Sequence, residues 1–424
     1  MDTLIIGGGP AGLMASCFCT GRTVVIDRLT APGRKLLATG GGRCNLTHAT
    51  DATGIMAVFG RQARFMAPSL QSFPPSAICD FFRRHGVDTL EEPDGCVFPV
   101  SQKASDVLDA LERAAKANGV EIRCGIRAKR LIVEQNPLVA DPAKPALRIV
   151  GVETDHGTLR ARRVILAAGG QSYPCLGSDG SGFALAREVG LSIVPPVPAR
   201  AGLVTREAWP ASLAGIVQEN AALRLDGKGF SKQRLCGPIL FTHKGLSGPP
   251  ALAFSGEIAA WLLAAQKPED PAPAVTVRAS FFAERTTEDW LTRFDGWRKT
   301  HGGRALHNLL SGEVPRALAV ALCERADVST TAVARASKKA LAALASACAD
   351  TPLHIVGTEG WGRAMLTRGG IALNELSSDT LACKRIAGLA CAGEIVDLDG
   401  PCGGYNLTWA FASGRRAALS APAV

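Results

Sequence analysis

The chain has 424 residues, 47% of them hydrophobic and 20% charged, with a net charge of +9. That length gives room for two or three domains with substantial cores, and the composition excludes a disordered or collagen-like chain. The positive charge is scattered in short clusters such as GRR and SKK, and only 5% of residues are aromatic. No run approaches the roughly 20 apolar residues of a membrane span, so neither a nucleic-acid partner nor a membrane segment is expected.

Met1 leads straight into a strand with no basic region ahead of it, which does not read as a signal peptide. The thirteen cysteines include no CxxC and no pair at metal-ligand spacing. They point to free thiols in a reducing, cytoplasmic setting and to no bound metal.

The first elements carry the strongest signal. TLIIG and TVVID read as buried strands, and PAGLMASCFCT between them as a helix. Gly7, Gly9 and Gly12 form GxGxxG directly after a strand and at the opening of a helix, the context that a dinucleotide fold requires. Gly7 permits the tight turn, Gly9 lets a pyrophosphate approach the backbone, and Gly12 lets helix and strand pack closely. Phosphates then meet the free N–H groups of the helix start. Asp27 ends the second strand, twenty residues after Gly7, and is expected to bind ribose hydroxyls.

The next stretch, APGRKLLATGGGRCNLTH, repeats the glycine theme at Gly40, Gly41 and Gly42, with Arg34, Lys35 and Arg43 beside it. It reads as a second loop facing the same dinucleotide. SDVLDALERAAKANG is an amphipathic helix stopped at Asn118-Gly119. VEIRCG and RAKRLIVE read as strands, followed by a polar, Pro-rich turn over about 136–146. Two β-like runs then flank DHG in LRIVGVETDHGTLRARRVILAAGG. The last of these ends at Gly169-Gly170, and a further glycine turn, Gly177 to Gly182, opens FALAREVG.

At about residue 193 the Pro-rich IVPPVPARAGLV marks an exit from the first domain. Short strands and turns are expected to about 285, helices over 286–350, and extended chain from TPLHIVGTEGW onward. LACAGEIVD reads as a buried strand running into GPCGGYNLTWAFASG. There Gly403 and Gly404 precede a helix starting near Tyr405. A helix N-terminus there would stabilise the negative charge that a flavin's pyrimidine end gains on reduction. Glu394 and Asp397 are placed to bond ribityl or phosphate-side hydroxyls.

Together these motifs resemble the BaiN-like bacterial flavoproteins, named NAD(P)/FAD-dependent oxidoreductases and in part aminoacetone-oxidase-type FAD enzymes. The resemblance rests on IIGGGPAGLMAS, PGRKLLATGGGRCNLT, THKGLSGPPAL, RGGIALNEL and AGEIVDLDGPCGGYNLTWAFASG, in order along the whole chain. It implies an α/β fold: a split Rossmann-like FAD-binding domain of the glutathione-reductase-like class, with an inserted small β-barrel and a helical domain. The boundaries expected are 1–192 and 367–424 for the FAD domain, 193–285 for the barrel, 286–350 for the helices and 351–366 for a returning barrel strand. Asp27 stands where such enzymes often carry the longer Glu.

Within the motifs the cofactor set is Gly7, Gly9, Pro10, Ala11, Gly12, Asp27, Arg28, Arg34, Lys35, Leu36, Gly41, Gly42, Arg43, Cys44 and Asn45. It continues with Ala168, Gly169, Gly170, Gly393, Glu394, Asp397, Gly403, Gly404, Tyr405, Asn406 and Leu407. The resemblance implies FAD as cofactor and NAD(P)H as a transient co-substrate, since only one full dinucleotide motif is present. The leading expectation is hydride transfer between NAD(P)H or a small organic substrate and an acceptor, through FAD. An FAD amine oxidase using dioxygen, an RNA-associated flavoprotein and a non-catalytic FAD-binding protein stay open as alternatives. Cys44, Cys175 and Cys402 lie inside the motifs as candidate redox thiols, or as small packing residues. His243 in THKGLSGPP is a candidate acid/base group, or a turn residue of the barrel.

Overall fold

The computed structural model describes residues 1–136, 145–266 and 273–420, in two compact units: 1–196 with 366–424, and 197–365. The Pro-rich turn at 137–144 lies outside the described residues.

The first unit is built on a parallel sheet. Strand β1 (Thr3–Ile6) leads into helix α1 (Pro10–Ser16) and returns as β2 (Thr23–Asp27). Helix α2 (Ala104–Ala117) crosses to β3 (Glu121–Cys124), and β4 (Arg163–Leu166) follows. From the far end of the chain come β5 (Leu389–Cys391) and helix α3 (Tyr405–Leu419). The spatial order is β5-β4-β1-β2-β3, and every neighbouring pair is parallel. β1, β2 and β4 are buried along nearly their whole length, with apolar runs Leu4–Ile6, Val24–Ile26 and Val164–Leu166, as sheets covered on both faces require. Chain order reverses beside β1, between β4 and β2, and open α/β sheets bind ligands at the carboxyl ends of strands at such a switch point.

Helices α1 and α3 meet backbone to backbone. A Cβ on Gly414 would lie 2.2 Å from the carbonyl oxygen of Ala11, so only glycine permits that approach. RAKRLIVE forms the strand Ala128–Gln135, and of the two runs expected around DHG the first is Leu147–Thr154 while the second divides into Gly157–Arg160 and β4. The expected strand LACAGEIVD stops at Cys391, because Gly393 takes φ +81° and starts a helical turn over Gly393–Ile395.

The second unit contains a closed six-stranded barrel of antiparallel neighbours. Its strands are Leu203–Thr205, Gly245–Ser247, Arg234–Thr242, Val217–Asp226, Val275–Ser280 and Thr351–Thr358. Helices Thr287–Thr300, Leu306–Leu310, Arg316–Arg325 and Lys338–Ala349 share one continuous core with it, around Trp290, Phe294, Phe281 and Leu353. A capping box between Thr286 and Asp289 starts the first of them.

PPALAFSGEIAAWLLAA falls in the span expected to be short strands and turns, but Pro249–Ala265 is a seventeen-residue helix. Its prolines occupy the first helical turn, where no intrahelical donor is lost. It is apolar nearly all round, so no 3.6-residue stripe announced it.

Candidate functional site

The three glycines of the first loop do three different things. Gly7 takes φ +108°, and a Cβ there would come 2.4 Å from the carbonyl oxygen of Ala167, at the end of β4. A Cβ on Gly12 would stand 1.9 Å from the Gly7 carbonyl oxygen, so Gly12 sets the contact between α1 and β1. Gly9 has nothing within 4 Å of its missing Cβ. It caps α1 with no side-chain hydrogen bond, and the first turn carries no acid. A helix start of this kind leaves first-turn amide N–H groups without intrahelical partners, available to an anion.

Asp27 stands at the end of β2. Its Oδ2 accepts the Gly8 N–H at 2.7 Å and its Oδ1 accepts the Leu29 N–H at 2.8 Å. Burial pushes its carboxyl above the ordinary value, and those two backbone donors hold it back. Each oxygen keeps a lone pair for a ribose hydroxyl. The carboxylate opens into a cavity lined by Gly7, Arg28, Ile126, Arg127, Ala128, Ala168, Gly177, Ser181 and Leu185. Residues 126–128 escaped the sequence reading. The signal was Gly125, at φ +74° just past the third parallel strand, which lets the Ile126 N–H reach the Asp27 carbonyl at 2.9 Å.

Several expected cofactor contacts are already committed to protein. Arg28 pairs with Asp179 at 3.3 Å and donates to the carbonyls of Gly177 and Pro174, so it holds that loop. Arg43 turns to Glu92 at 2.6 Å and lies over the Phe98 ring. Lys35 Nζ donates to Glu394 Oε2 at 2.6 Å and to Ser172 Oγ at 2.5 Å. Glu394 Oε1 accepts from the Thr367 N–H at 2.8 Å and from Ser172 Oγ at 3.1 Å. Glu394 thus ties three glycine loops together, a role the sequence reading missed. Asp397 accepts from Gln62. Asn406 closes its own turn, accepting from the Gly400 N–H and donating to the carbonyls of Gly400 and Pro401. Leu36 is buried in the core, whereas Arg34 is exposed.

The second glycine loop has Gly40, Gly41 and Gly42 at φ +56°, +67° and +92°. Nothing comes closer than 4.0 Å to a Cβ at Gly41 or Gly42, so this backbone is free to lie against a ligand. The loop meets the turn before α3: a Cβ on Gly404 would come 2.4 Å from the Thr47 carbonyl and 2.7 Å from Asn45 Oδ1. That amide oxygen is buried and has no hydrogen-bond partner among the described residues. α3 begins at Tyr405 with no side-chain cap and no acid in its first turn. The Tyr405 ring stacks on His48, with centroids 4.7 Å apart and planes at 24°. His48 was also missed, though it follows the CNLT of the glycine motif directly.

The cysteine candidates divide. Cys44 is fully buried and burial pushes its thiol up to about 12, so it is not a reactive thiolate. Cys175 and Cys402 are exposed. His243 lies in the hairpin turn between two barrel strands of the other unit. Among the described residues no cluster of His, Cys, Asp or Glu is arranged to hold a metal, and no helix is long and apolar enough to cross a membrane.

Within the first unit, then, a cavity beside Asp27, an uncapped helix start at Gly9, an open glycine loop and an uncapped α3 all suit an extended dinucleotide such as FAD. The model of the HI0933-like protein Rossmann domain matches residues 1–420. The chain is 31% identical over 423 residues to a 3-dehydro-bile acid delta(4,6)-reductase of Clostridium scindens, covering 98% of each. It is 30% identical over 421 residues to a ribosomal RNA dihydrouridine synthase of Escherichia coli, covering 97% of this chain and 96% of that protein. The fold is shared with a 3-ketosteroid delta1-dehydrogenase of Sterolibacterium denitrificans, at a TM-score of 0.50 and 12% identity over 98% of each chain. The chain belongs to the HI0933-like Rossmann family and is a flavoprotein oxidoreductase with a Rossmann FAD-binding domain.

Proposed function

We propose that this HI0933-like flavoprotein is a reductase that saturates a carbon–carbon double bond conjugated to a carbonyl. One observation carries the reading. Two relatives at 31% and 30% identity are named for unrelated molecules, a bile acid and a ribosomal RNA, yet their names describe the same kind of bond. One bears double bonds beside a 3-oxo group; the other is made by saturating the uracil ring double bond, itself conjugated to a ring carbonyl.

FAD, when bound, supplies the hydride equivalent. The chain supplies binding and orientation. Asp27 takes the ribose, the first-turn amides of α1 at Gly9 take the pyrophosphate, and Gly41, Gly42 and the start of α3 take the ring. Gly169 and Gly170 end the strand β4 run against the same cofactor. Arg43, Glu394 and Asn406 hold these loops in place. NAD(P)H serves as the electron donor and visits transiently. The acceptor is a small conjugated carbonyl compound, in keeping with a charge that forms no basic run.

The test is an anaerobic absorbance titration of the FAD-loaded protein with NADH, NADPH and a panel of amines, followed by a small enone or uridine-containing RNA. Bleaching by a nicotinamide nucleotide and return of colour with the enone supports the reading. Bleaching by an amine alone makes the protein an oxidase. Return of colour only with RNA, together with salt-dependent RNA binding, moves the substrate to a nucleic acid. A protein that takes up no FAD sinks the reading altogether.

A further inference from the structure

Saturating a conjugated double bond needs a proton as well as a hydride. Most acidic groups in the glycine loops are otherwise engaged. Glu394 is held by Lys35, Ser172 and the Thr367 amide. Asp397 accepts from Gln62, and Cys44 is fully buried. Tyr405 differs. Its hydroxyl makes no hydrogen bond among the described residues, while its ring is held by the stack on His48. It is the first residue of α3, where the turn before α3 meets the Gly40–Asn45 loop.

His48 is itself fixed on two sides. Its Nδ1 lies 3.3 Å from the Gly403 carbonyl oxygen, within reach of donating a proton to it. A Cβ on Gly95 would come 2.7 Å from its Nε2, so the imidazole sits against a backbone that only glycine allows. Burial, with Cys96 adding to it, pushes the Tyr405 phenol above its ordinary value. It is therefore an O–H donor at neutral pH.

We propose that Tyr405 donates the proton in the saturating step, and that His48 is a positioning residue that holds its ring. The proposal rests on the reduction reading above. With bound FAD supplying the hydride equivalent at the β carbon, a C–H bond would form there as the C=C π bond breaks. Its electron pair moves toward the α carbon and carbonyl, the Tyr405 O–H proton goes to the α carbon, and solvent reprotonates the phenolate.

The chain has two tyrosines, so Tyr173→Phe leaves Tyr405 as the sole phenol. Two measurements then bear on the proposal. The first follows tyrosinate absorbance of the Tyr173→Phe protein against pH, without and with FAD; FAD is expected to shift the titration. The second reoxidises dithionite-reduced, FAD-loaded protein with 2-cyclohexenone or uridine. Tyr405→Phe is expected to keep its FAD and lose roughly 100-fold or more in reoxidation rate, the range of a general acid. His48→Ala is expected to lose less, and His48→Phe, which keeps a stacking ring, to recover part of that loss.

Reoxidation of Tyr405→Phe at the wild-type rate overturns the proposal. So does a loss confined to Cys402→Ser, which assigns the proton to Cys402. If neither acceptor reoxidises the wild type, the reduction reading fails, and the titration then judges Tyr405 alone. An unchanged titration removes Tyr405 from the cofactor, and a shift keeps it there.

Discussion

Lys35 Nζ lies 2.6 Å from Glu394 Oε2, although 359 residues separate them in the chain. The side chains are 20% and 21% exposed, and Ser172 and the Thr367 amide complete the carboxylate's hydrogen bonds. This pair fastens the second glycine loop to the strand-end turns at 169–172 and 393–394. Removing one partner leaves a half-buried charge unpaired. Discounted for partial exposure, Glu394→Gln should cost the FAD-free protein about 1–2 kcal/mol in urea unfolding. Lys35→Met combined with Glu394→Leu should recover part of that loss; a double variant whose loss is the sum of the two single losses would show that the pair is not coupled.

The second and third glycines of GxGxxG should fail in opposite ways. Gly9 has φ −81° and open space beside it, so Gly9→Ala should unfold within about 0.5 kcal/mol of wild type. Its methyl group enters the space assigned to pyrophosphate, and FAD affinity should fall roughly tenfold or more. Gly12→Ala instead drives a Cβ into the Gly7 carbonyl at 1.9 Å and should cost about 2 kcal/mol or more before any cofactor is added. Equilibrium unfolding and FAD fluorescence quenching on both variants check the contrast.

Thiol labelling separates the motif cysteines. At pH 8 a thiol near 12 is ionised to only about one part in ten thousand, and Cys44 is also shut off from solvent. Iodoacetamide on the native protein, read by peptide mass spectrometry, should modify the exposed Cys175, Cys236 and Cys402 and spare Cys44 until urea is added.

Asp27 should leave a mark on acid stability. Its folded carboxyl is raised by burial, so the folded state holds the proton more tightly than the unfolded state. Stability of the FAD-free protein attributable to this group therefore falls as pH rises from about 4, the unfolded value, through the raised folded value. The wild-type minus Asp27→Asn difference in unfolding free energy should decline across that window. A flat difference would show that the two backbone donors cancel the burial.

What the sequence determined by itself was whatever is local. A strand, three glycines, a helix start and an acid at the next strand end all act within about 20 residues of one another, so GxGxxG and Asp27 could be assigned from spacing alone. The amphipathic helix Ala104–Ala117 was legible for the same reason, since its stripe and its Asn118-Gly119 stop are contiguous. Tertiary structure decided which polar groups remain available. Arg43 is drawn to Glu92, Lys35 to Glu394 and Arg28 to the 174–179 loop, and each partner comes from a distant segment. It also decided the wall at Ile126–Ala128 and the stack of His48 on Tyr405, which exist only because β3 lies beside β2 and the turn before α3 closes on the Gly40–Asn45 loop. The helix Pro249–Ala265 stayed hidden because apolar residues stand on nearly every side of it, the exposed Trp261 and Leu263 among them, and that erases the periodicity from which a helix is read.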